Sequence, residues 1–205
     1  MTLPTRGMAF ATFVYLGMAT AFVATPGANA DVYAFDKSYT NITFSWSHLG
    51  ISRQSARILD CEGIVEFDPA TPESGSVGAT MKVSSLSTGV DTFDKQLKSA
   101  DYFDAAQFPT IIFKSTAVKR TGERTGEVTG DLTIMGQARP VTLAVTWNFT
   151  GEHPLAPINP IYQDKFVSGF TATTRILRSD WGIKRGTPIA SDEIEITINS
   201  ELFRK

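Results

Sequence analysis

A period-two alternation of apolar and polar residues runs through most of this chain and restricts its fold more than any other feature. It is clearest where Ile42, Phe44, Trp46 and His48 alternate with polar residues. Because successive side chains of a strand point to opposite faces, the pattern indicates half-buried β-strands. The sequence therefore predicts eight or nine strands in one all-β domain. The same alternation recurs at residues 61–67, 79–83, 111–113, 128–134, 141–149, 170–176 and 194–202.

One stretch, between residues 87 and 106, departs from the alternation. Phe93 and Leu97 lie four residues apart, and Thr88 or Asp91 is placed to cap the start of a helix. Antiparallel meanders of this length remove their strand edges by closing into a barrel or by stacking as a sandwich. Closure at about eight strands leaves an interior that can hold one small or slender ligand. In a closed barrel, the helical insertion would lie over one mouth.

The first 30 residues have the features of a cleavable secretion signal. Arg6 is their only charged residue, and the apolar run that follows it ends at residues 26–27 (PG), just before a small-x-small site at residues 28–30 (ANA). An uncleaved membrane anchor is the alternative, since the run is just long enough to span a bilayer. The Pro-Gly break favours cleavage. We therefore expect a mature domain of residues 31–205 in the periplasm, without a membrane span.

Charge and residue spacing argue against several classes of function. The chain has 19 Lys and Arg, one of them Arg6 in the signal, against 21 Asp and Glu, so no basic excess suggests nucleic acid. Two isolated histidines and the lone Cys61 have no metal-site spacing, and no nucleophile elbow or phosphate loop occurs. We expect no metal, no cofactor and no catalytic residue. Cys61 is interpreted as a small buried hydrophobe, with a redox thiol or an intermolecular bridge as alternatives.

Five motifs, in order, link this chain to a known family. The motifs are GIVEFDP at 63–69, SLSTG at 85–89 with LKSADYF at 97–103, FPTIIFKST at 108–116, GDLTIMG at 130–136 with RPV at 139–141, and RSDWGI at 178–183. By these motifs the chain resembles the YceI-like family, lipocalin-like barrels that bind polyisoprenoids, over residues 33–202. The resemblance implies a closed antiparallel lipocalin-like barrel of about eight strands with a short helical insertion. It also implies an apolar tunnel that sequesters one long isoprenoid chain, of the quinone or prenyl phosphate type.

The candidate ligand-binding residues form an apolar and a polar set. Burying a prenyl tail contributes about 0.8 kcal/mol for each methylene-sized group, so apolar walls alone supply affinity. Arg175 and Arg178 offer planar guanidinium groups to a phosphate or a quinone oxygen, although Arg178 could instead pair with Asp180 in a turn. His48 either bonds a head group or is structural. The apolar set is Phe44, Trp46, Leu97, Phe103, Phe113, Phe170, Ile176 and Trp181.

Three functions remain open from the sequence. The first is a carrier or buffer for an isoprenoid lipid. The second is a stress-related interaction protein whose barrel is filled by its own side chains. The third is an enzyme acting on a lipid-linked substrate, which would have to start from Asp180, His48 or Asp101. Because no constellation of acid, base and nucleophile is present, we expect a binding protein rather than an enzyme. The sequence leaves open which lipid is bound and whether the barrel forms a homodimer.

Overall fold

The structure is a computed structural model that describes residues 30–205. Residues 1–29 of the predicted signal, which spans residues 1–30, lie outside the described residues, so its cleavage stays a prediction. Eleven strands and one α-helix make up the described chain. They are β1 (Asp31–Phe35), β2 (Asn41–His48), β3 (Ser52–Ile58), β4 (Cys61–Phe67), β5 (Ser76–Lys82), β6 (Leu86–Ser87), α1 (Asp91–Leu97), β7 (Thr110–Arg120), β8 (Thr125–Ile134), β9 (Gln137–Glu152), β10 (Phe166–Leu177) and β11 (Glu193–Arg204).

Eight of these strands close into an antiparallel barrel, as predicted. Their order around the barrel is β1-β4-β5-β7-β8-β9-β10-β11, and β11 pairs back onto β1 with Tyr33 opposite Arg204. The end of β11 pairs with β1, whereas its earlier residues 195–199 pair with β2, where Ile196 lies opposite Phe44. Strands β3 and β6 extend the sheet from β2. The sheet is therefore closed through β1 and β11, and β2, β3 and β6 continue its wall towards the other end, where Phe44, Ile58 and Leu86 pack in the same core.

The strand directions define two ends of the barrel. The hairpin end carries the turn between β7 and β8, at residues 121–124, and the connection between β4 and β5, at residues 68–75. The helix end carries the turn between β2 and β3, at residues 49–51, together with α1 and the segment 178–192. These two names are used below for the two mouths of the barrel interior.

The helical insertion is where the sequence places it, but its start is stabilised differently. Val90 precedes the first turn and makes no capping hydrogen bond through its side chain, so neither Thr88 nor Asp91 is the cap. Instead, the hydroxyl and the backbone N–H of Thr88 both donate to Asp94 Oδ1, each at 2.6 Å. These two hydrogen bonds hold the pKa of the Asp94 carboxyl below its usual value. These hydrogen bonds therefore fix the first turns of α1 against the segment that precedes the helix.

Three of the strands were not predicted from the alternation. β1, β3 and β6 are short or polar, and β3 (SRQSARI) buries only Ala56 and Ile58. An apolar pattern cannot reveal a strand whose side chains are mostly polar and exposed. β1 forms through backbone pairing with β4, and β3 through pairing with β2, both of which carry the pattern, while β6 pairs with β3.

A glycine in β8 shapes the inner wall beside Phe113. Gly130 lies at an inward position, and a Cβ atom built there would come within 2.6 Å of Phe113 Cζ and 2.5 Å of the Lys114 carbonyl oxygen. A β-bulge between Ser115 and Ala117 lies beside this contact. The Phe113 ring therefore occupies the space that a side chain at position 130 would need.

We expect Gly130→Ala to lower the free energy of unfolding by about 1–3 kcal/mol, because the added methyl group overpacks the wall. The matched control is Gly78→Ala in β5, where a Cβ atom would meet nothing within 4 Å. Urea denaturation followed by tryptophan fluorescence measures both variants. Equal losses in the two variants would contradict this account of Gly130.

Candidate ligand cavity

The barrel encloses one large cavity of about 670 Å³. It extends between residues of the two mouths, and the inward side chains of the strands form its walls. On β9, for example, Val141, Leu143, Val145 and Trp147 line it, two residues apart. A volume of this size falls within the range of pockets that hold small-molecule ligands, roughly 300–1,000 Å³. The interior is therefore not filled by the protein's own side chains.

Aromatic rings are concentrated at two places in the wall. Towards the hairpin end, the Phe67 ring makes edge-to-face contacts with Trp147 and Phe170, at centroid distances of 5.2 and 5.1 Å. Towards the helix end, the Phe44 ring lies 5.9 Å from Phe103, in the chain after α1. Edge-to-face pairs hold rings in defined orientations. The helical insertion thus contributes to the same apolar surface as the strands.

Ten of the eleven candidate residues lie along this cavity. This placement agrees with the sequence analysis, whereas their contact with a ligand stays a prediction. Trp181 is almost fully buried, and its indole Nε1 donates to the Leu132 carbonyl oxygen at 3.1 Å. The ten are Phe44, Trp46, His48, Leu97, Phe103, Phe113, Phe170, Ile176, Arg178 and Trp181.

Arg175 is the exception, and its predicted position at a ligand head group is wrong. Its side chain lies on the outside of the barrel, 65% exposed, and its Nη2 lies 2.8 Å from Glu195 Oε1. The reason is that side chains alternate between the two faces of β10. Thr174 and Ile176 face the cavity, so the residue between them must face solvent. The alternation itself excluded Arg175 from the interior.

Arg178 is buried and stabilises the segment at the helix end. Its side chain donates to five acceptors, which leaves the guanidinium occupied by the protein itself. An ion pair with Asp180 is absent among the described residues, so the proposed turn pair is also corrected. The acceptors are the carbonyl oxygens of Ser191 (3.0 Å), Ile183 (3.3 Å), Arg185 (2.7 Å) and Ala190 (3.1 Å), and Thr187 Oγ1 (2.8 Å).

The polar groups that line the cavity differ between the two ends. At the helix end they are His48, Gln54, Gln96 and Tyr102, together with Arg178 and Arg185 of segment 178–192, and Gln96 Nε2 donates to the Tyr102 hydroxyl at 3.4 Å. At the hairpin end they are mostly charged. Of the helix-end set, the sequence analysis selected His48 and Arg178. Tyr102 could have been found, because it lies in the LKSADYF motif. The hairpin-end set includes Glu66, Lys119, Arg120, Glu123 and Arg124.

Cys61 lies in the wall of the cavity. It is a free, buried cysteine at the start of β4. Burial, reinforced by the negative charge of Asp60, raises the pKa of its thiol to about 11. The thiol is therefore protonated at neutral pH, and the interpretation as a small buried hydrophobe agrees with its position.

Neither a metal-binding cluster nor a membrane-spanning helix is found in residues 30–205. No three His, Cys, Asp or Glu side chains of this range are grouped so that they could hold a metal ion. No helix in the same range is long and apolar enough to cross a bilayer.

The family comparison agrees with this architecture. The model of the YceI-like domain matches residues 33–202. The chain belongs to the YceI-like family. It is 36% identical over 192 residues to a UPF0312 protein of Pseudomonas putida strain W619, which covers 93% of this chain and 95% of the relative.

Solved structures share the fold. The crystal structure of BcnA from Burkholderia cenocepacia superposes with a TM-score of 0.71 at 26% identity, covering 82% of this chain and 98% of that one. A polyisoprenoid-binding domain from Saccharophagus degradans superposes with a TM-score of 0.59 at 12% identity, covering 86% and 100%. At that identity, the second likeness shows the fold alone.

We expect iodoacetamide to alkylate Cys61 about a hundredfold more slowly in the folded protein than in guanidinium at about pH 8, because a pKa near 11 leaves little thiolate. The rate in the folded state should rise as the pH approaches 11. Since the unfolded thiol ionises first, near its ordinary value of 9, this group's contribution to stability is lost between those two pH values. Mass spectrometry of timed samples measures the rates. Equal rates in both states would contradict the burial of the thiol.

We expect Arg178→Met to lower the free energy of unfolding by about 3 kcal/mol or more, because it leaves several carbonyl oxygens without a donor. The matched control, Arg175→Met, removes an exposed arginine and should cost less than about 1 kcal/mol. Thermal and urea denaturation compare the two variants. A similar loss in both would show that the hydrogen bonds of Arg178 do not stabilise the fold.

Proposed function

We propose that this protein sequesters or carries a long-chain isoprenoid lipid, of the quinone or prenyl phosphate type, in its barrel and without a catalytic step. The observation that carries the proposal is the apolar cavity of about 670 Å³. Water in such a space would meet walls with few hydrogen-bonding partners, whereas a branched hydrocarbon chain gains free energy from every group it buries. The elongated path between the two mouths suits a slender ligand rather than a compact one.

Two further observations support an isoprenoid. Rings and branched aliphatic side chains together line the walls. On β11, for example, Ile194, Ile196 and Ile198 face the cavity. Such walls contact a methyl-branched chain through many weak dispersion interactions. The Saccharophagus degradans domain, which has the same fold, is itself described as polyisoprenoid-binding.

The two alternative functions receive less support. A barrel filled by its own side chains disagrees with the open interior, so the interaction protein of the sequence analysis would need another surface. For an enzyme, Asp180 does not line the cavity, and Asp101 faces Arg185 at 3.6 Å on the exposed surface. Only His48 faces the interior, and a lone imidazole without a partnered acid or nucleophile gives no basis for a reaction class.

The periplasm is the proposed location, on the strength of the N-terminal signal alone. A prenyl lipid released into an aqueous compartment loses about 0.8 kcal/mol for each exposed methylene-sized group. A secreted barrel with an apolar interior would give such a lipid a water-compatible route or store.

The direct test is the chemical identity of what the barrel holds. Protein purified from cells that express the full chain is extracted into organic solvent and analysed by mass spectrometry. We expect close to one isoprenoid or other long-chain lipid for each barrel. Finding no lipid, together with no uptake of decylubiquinone by the delipidated protein, would overturn the proposal.

We expect Ala172→Phe to weaken decylubiquinone binding about tenfold, because the new ring takes the space of about two buried methylene groups. Ala172 lines the cavity, whereas its neighbour Thr173 is exposed. Thr173→Phe therefore adds the same ring outside the barrel and should leave binding unchanged. Quenching of tryptophan fluorescence by the quinone measures both affinities. If both variants bind like the original protein, the ligand does not occupy this part of the cavity.

A further inference from the structure

The helix end of the barrel exposes large apolar side chains around its mouth. We call Leu49, Ile51, Phe93 and Ile189 the apolar rim. Leu49 is 57% exposed and Ile51 is 81% exposed. By contrast, the hairpin-end mouth is lined by charged side chains such as Lys119, Arg120 and Glu123. The two mouths of one cavity therefore differ in their lining, with most of the charged side chains at the hairpin end.

Backbone contacts join the β2–β3 turn of the rim to segment 178–192. The N–H of Leu49 donates to the Ile189 carbonyl oxygen at 2.8 Å, and the adjacent residues His48 and Ala190 form a β-bridge. Phe93 of α1 and Ile189 both line the cavity. The rim thus continues the apolar wall of the cavity outward to the surface, on three segments that meet at the mouth.

The local fold does not account for a leucine at position 49. Leu49 and Gly50 both have positive φ, at 56° and 69°, and the N–H of Ile51 donates to the His48 carbonyl oxygen at 2.9 Å. Asparagine and glycine adopt this conformation easily, whereas for a bulky residue it is strained. Leu49 is therefore both conformationally strained and exposed. A contact outside this chain would explain why a leucine occupies the tip.

We propose that the apolar rim inserts into the surface of a lipid bilayer, so that the isoprenoid passes between membrane and cavity through the helix-end mouth. The inference rests on the proposed function. Its physical reason is continuity: a hydrocarbon chain that moves from acyl chains past the rim into the cavity never crosses water. Side chains at a hairpin tip that enter the boundary between head groups and acyl chains bind in the manner of interfacial anchors.

Cationic side chains beside the rim favour an anionic lipid surface. Lys95 on α1 and Lys184 lie at this end, and neither forms an ion pair with any residue between 30 and 205. A lysine near an anionic bilayer is attracted to its surface. Asp91 and Asp94 on the same helix, and the exposed Asp101 after it, offset part of this attraction. The rim should therefore supply most of the binding, with the lysines adding a dependence on lipid charge.

The test compares two double variants of the protein purified from cells that express the full chain. Leu49→Asn/Ile51→Asn removes two rim side chains, and asparagine suits the positive φ at position 49, so the turn should fold at least as well. The control is Ile158→Asn/Ile161→Asn. These isoleucines are 79% and 73% exposed but lie outside the cavity lining.

The measurement is co-sedimentation with vesicles of equal parts phosphatidylethanolamine and phosphatidylglycerol. We expect the rim variant to bind vesicles about tenfold or more weakly, with the control unchanged. Both variants should bind decylubiquinone in vesicle-free solution like the original protein. The rim variant should also take up the quinone from loaded vesicles more slowly.

The possible failures are distinguishable. Absence of vesicle binding by the original protein, or equal losses in both variants, overturns the rim proposal and leaves lipid binding intact. A dimer that only the rim variant dissociates, without vesicle binding, assigns the rim to a second copy of the chain and also overturns it. Failure of the original protein to bind decylubiquinone or any co-purified lipid instead overturns the proposed function.

Discussion

The pairing of β1 with β11 closes the barrel, and the cavity depends on that closure. With the ring complete, the strands satisfy one another's backbone hydrogen bonds and leave no edge at the seam. Tyr33 and Leu202 are almost fully buried beside it. An open sheet would have to cover its apolar face with side chains from another layer. A closed sheet can keep its apolar face turned inward around a space, and this is the arrangement seen here.

The helix end depends on a different interaction, because segment 178–192 crosses it without strand pairing through most of its length. Its carbonyl oxygens need donors, and the buried guanidinium of Arg178 supplies several at once. A residue suited in principle to bind a phosphate is therefore already used in building the mouth. The same segment carries Ile189 to the apolar rim. Fold stability and the chemistry of the mouth are linked at this one side chain.

Much of the fold could be predicted from sequence, and the errors have physical causes. The alternation located the long strands, and the helical insertion was placed correctly from the spacing of Phe93 and Leu97. β3 was missed because its side chains are mostly polar. Arg175 was misplaced, although the inward position of Ile176 next to it in β10 excluded it from the interior. Whether the rings fill the barrel or surround a cavity cannot be read from a period, because both arrangements use the same inward residues. For example, the contact between the Phe44 and Phe103 rings joins distant parts of the chain, and no local pattern predicts it.

Gly130 has a consequence beyond local packing. Because position 130 lacks a side chain, the Phe113 ring can lie against the backbone of β8, where a Cβ atom would otherwise be. The width of the barrel interior at this level therefore depends on the absence of a side chain at position 130. A larger residue there would have to displace the Phe113 ring and the backbone of β7. The width of the cavity at this level is therefore fixed jointly by positions 113 and 130, one of which faces the ligand space while the other only makes room for it.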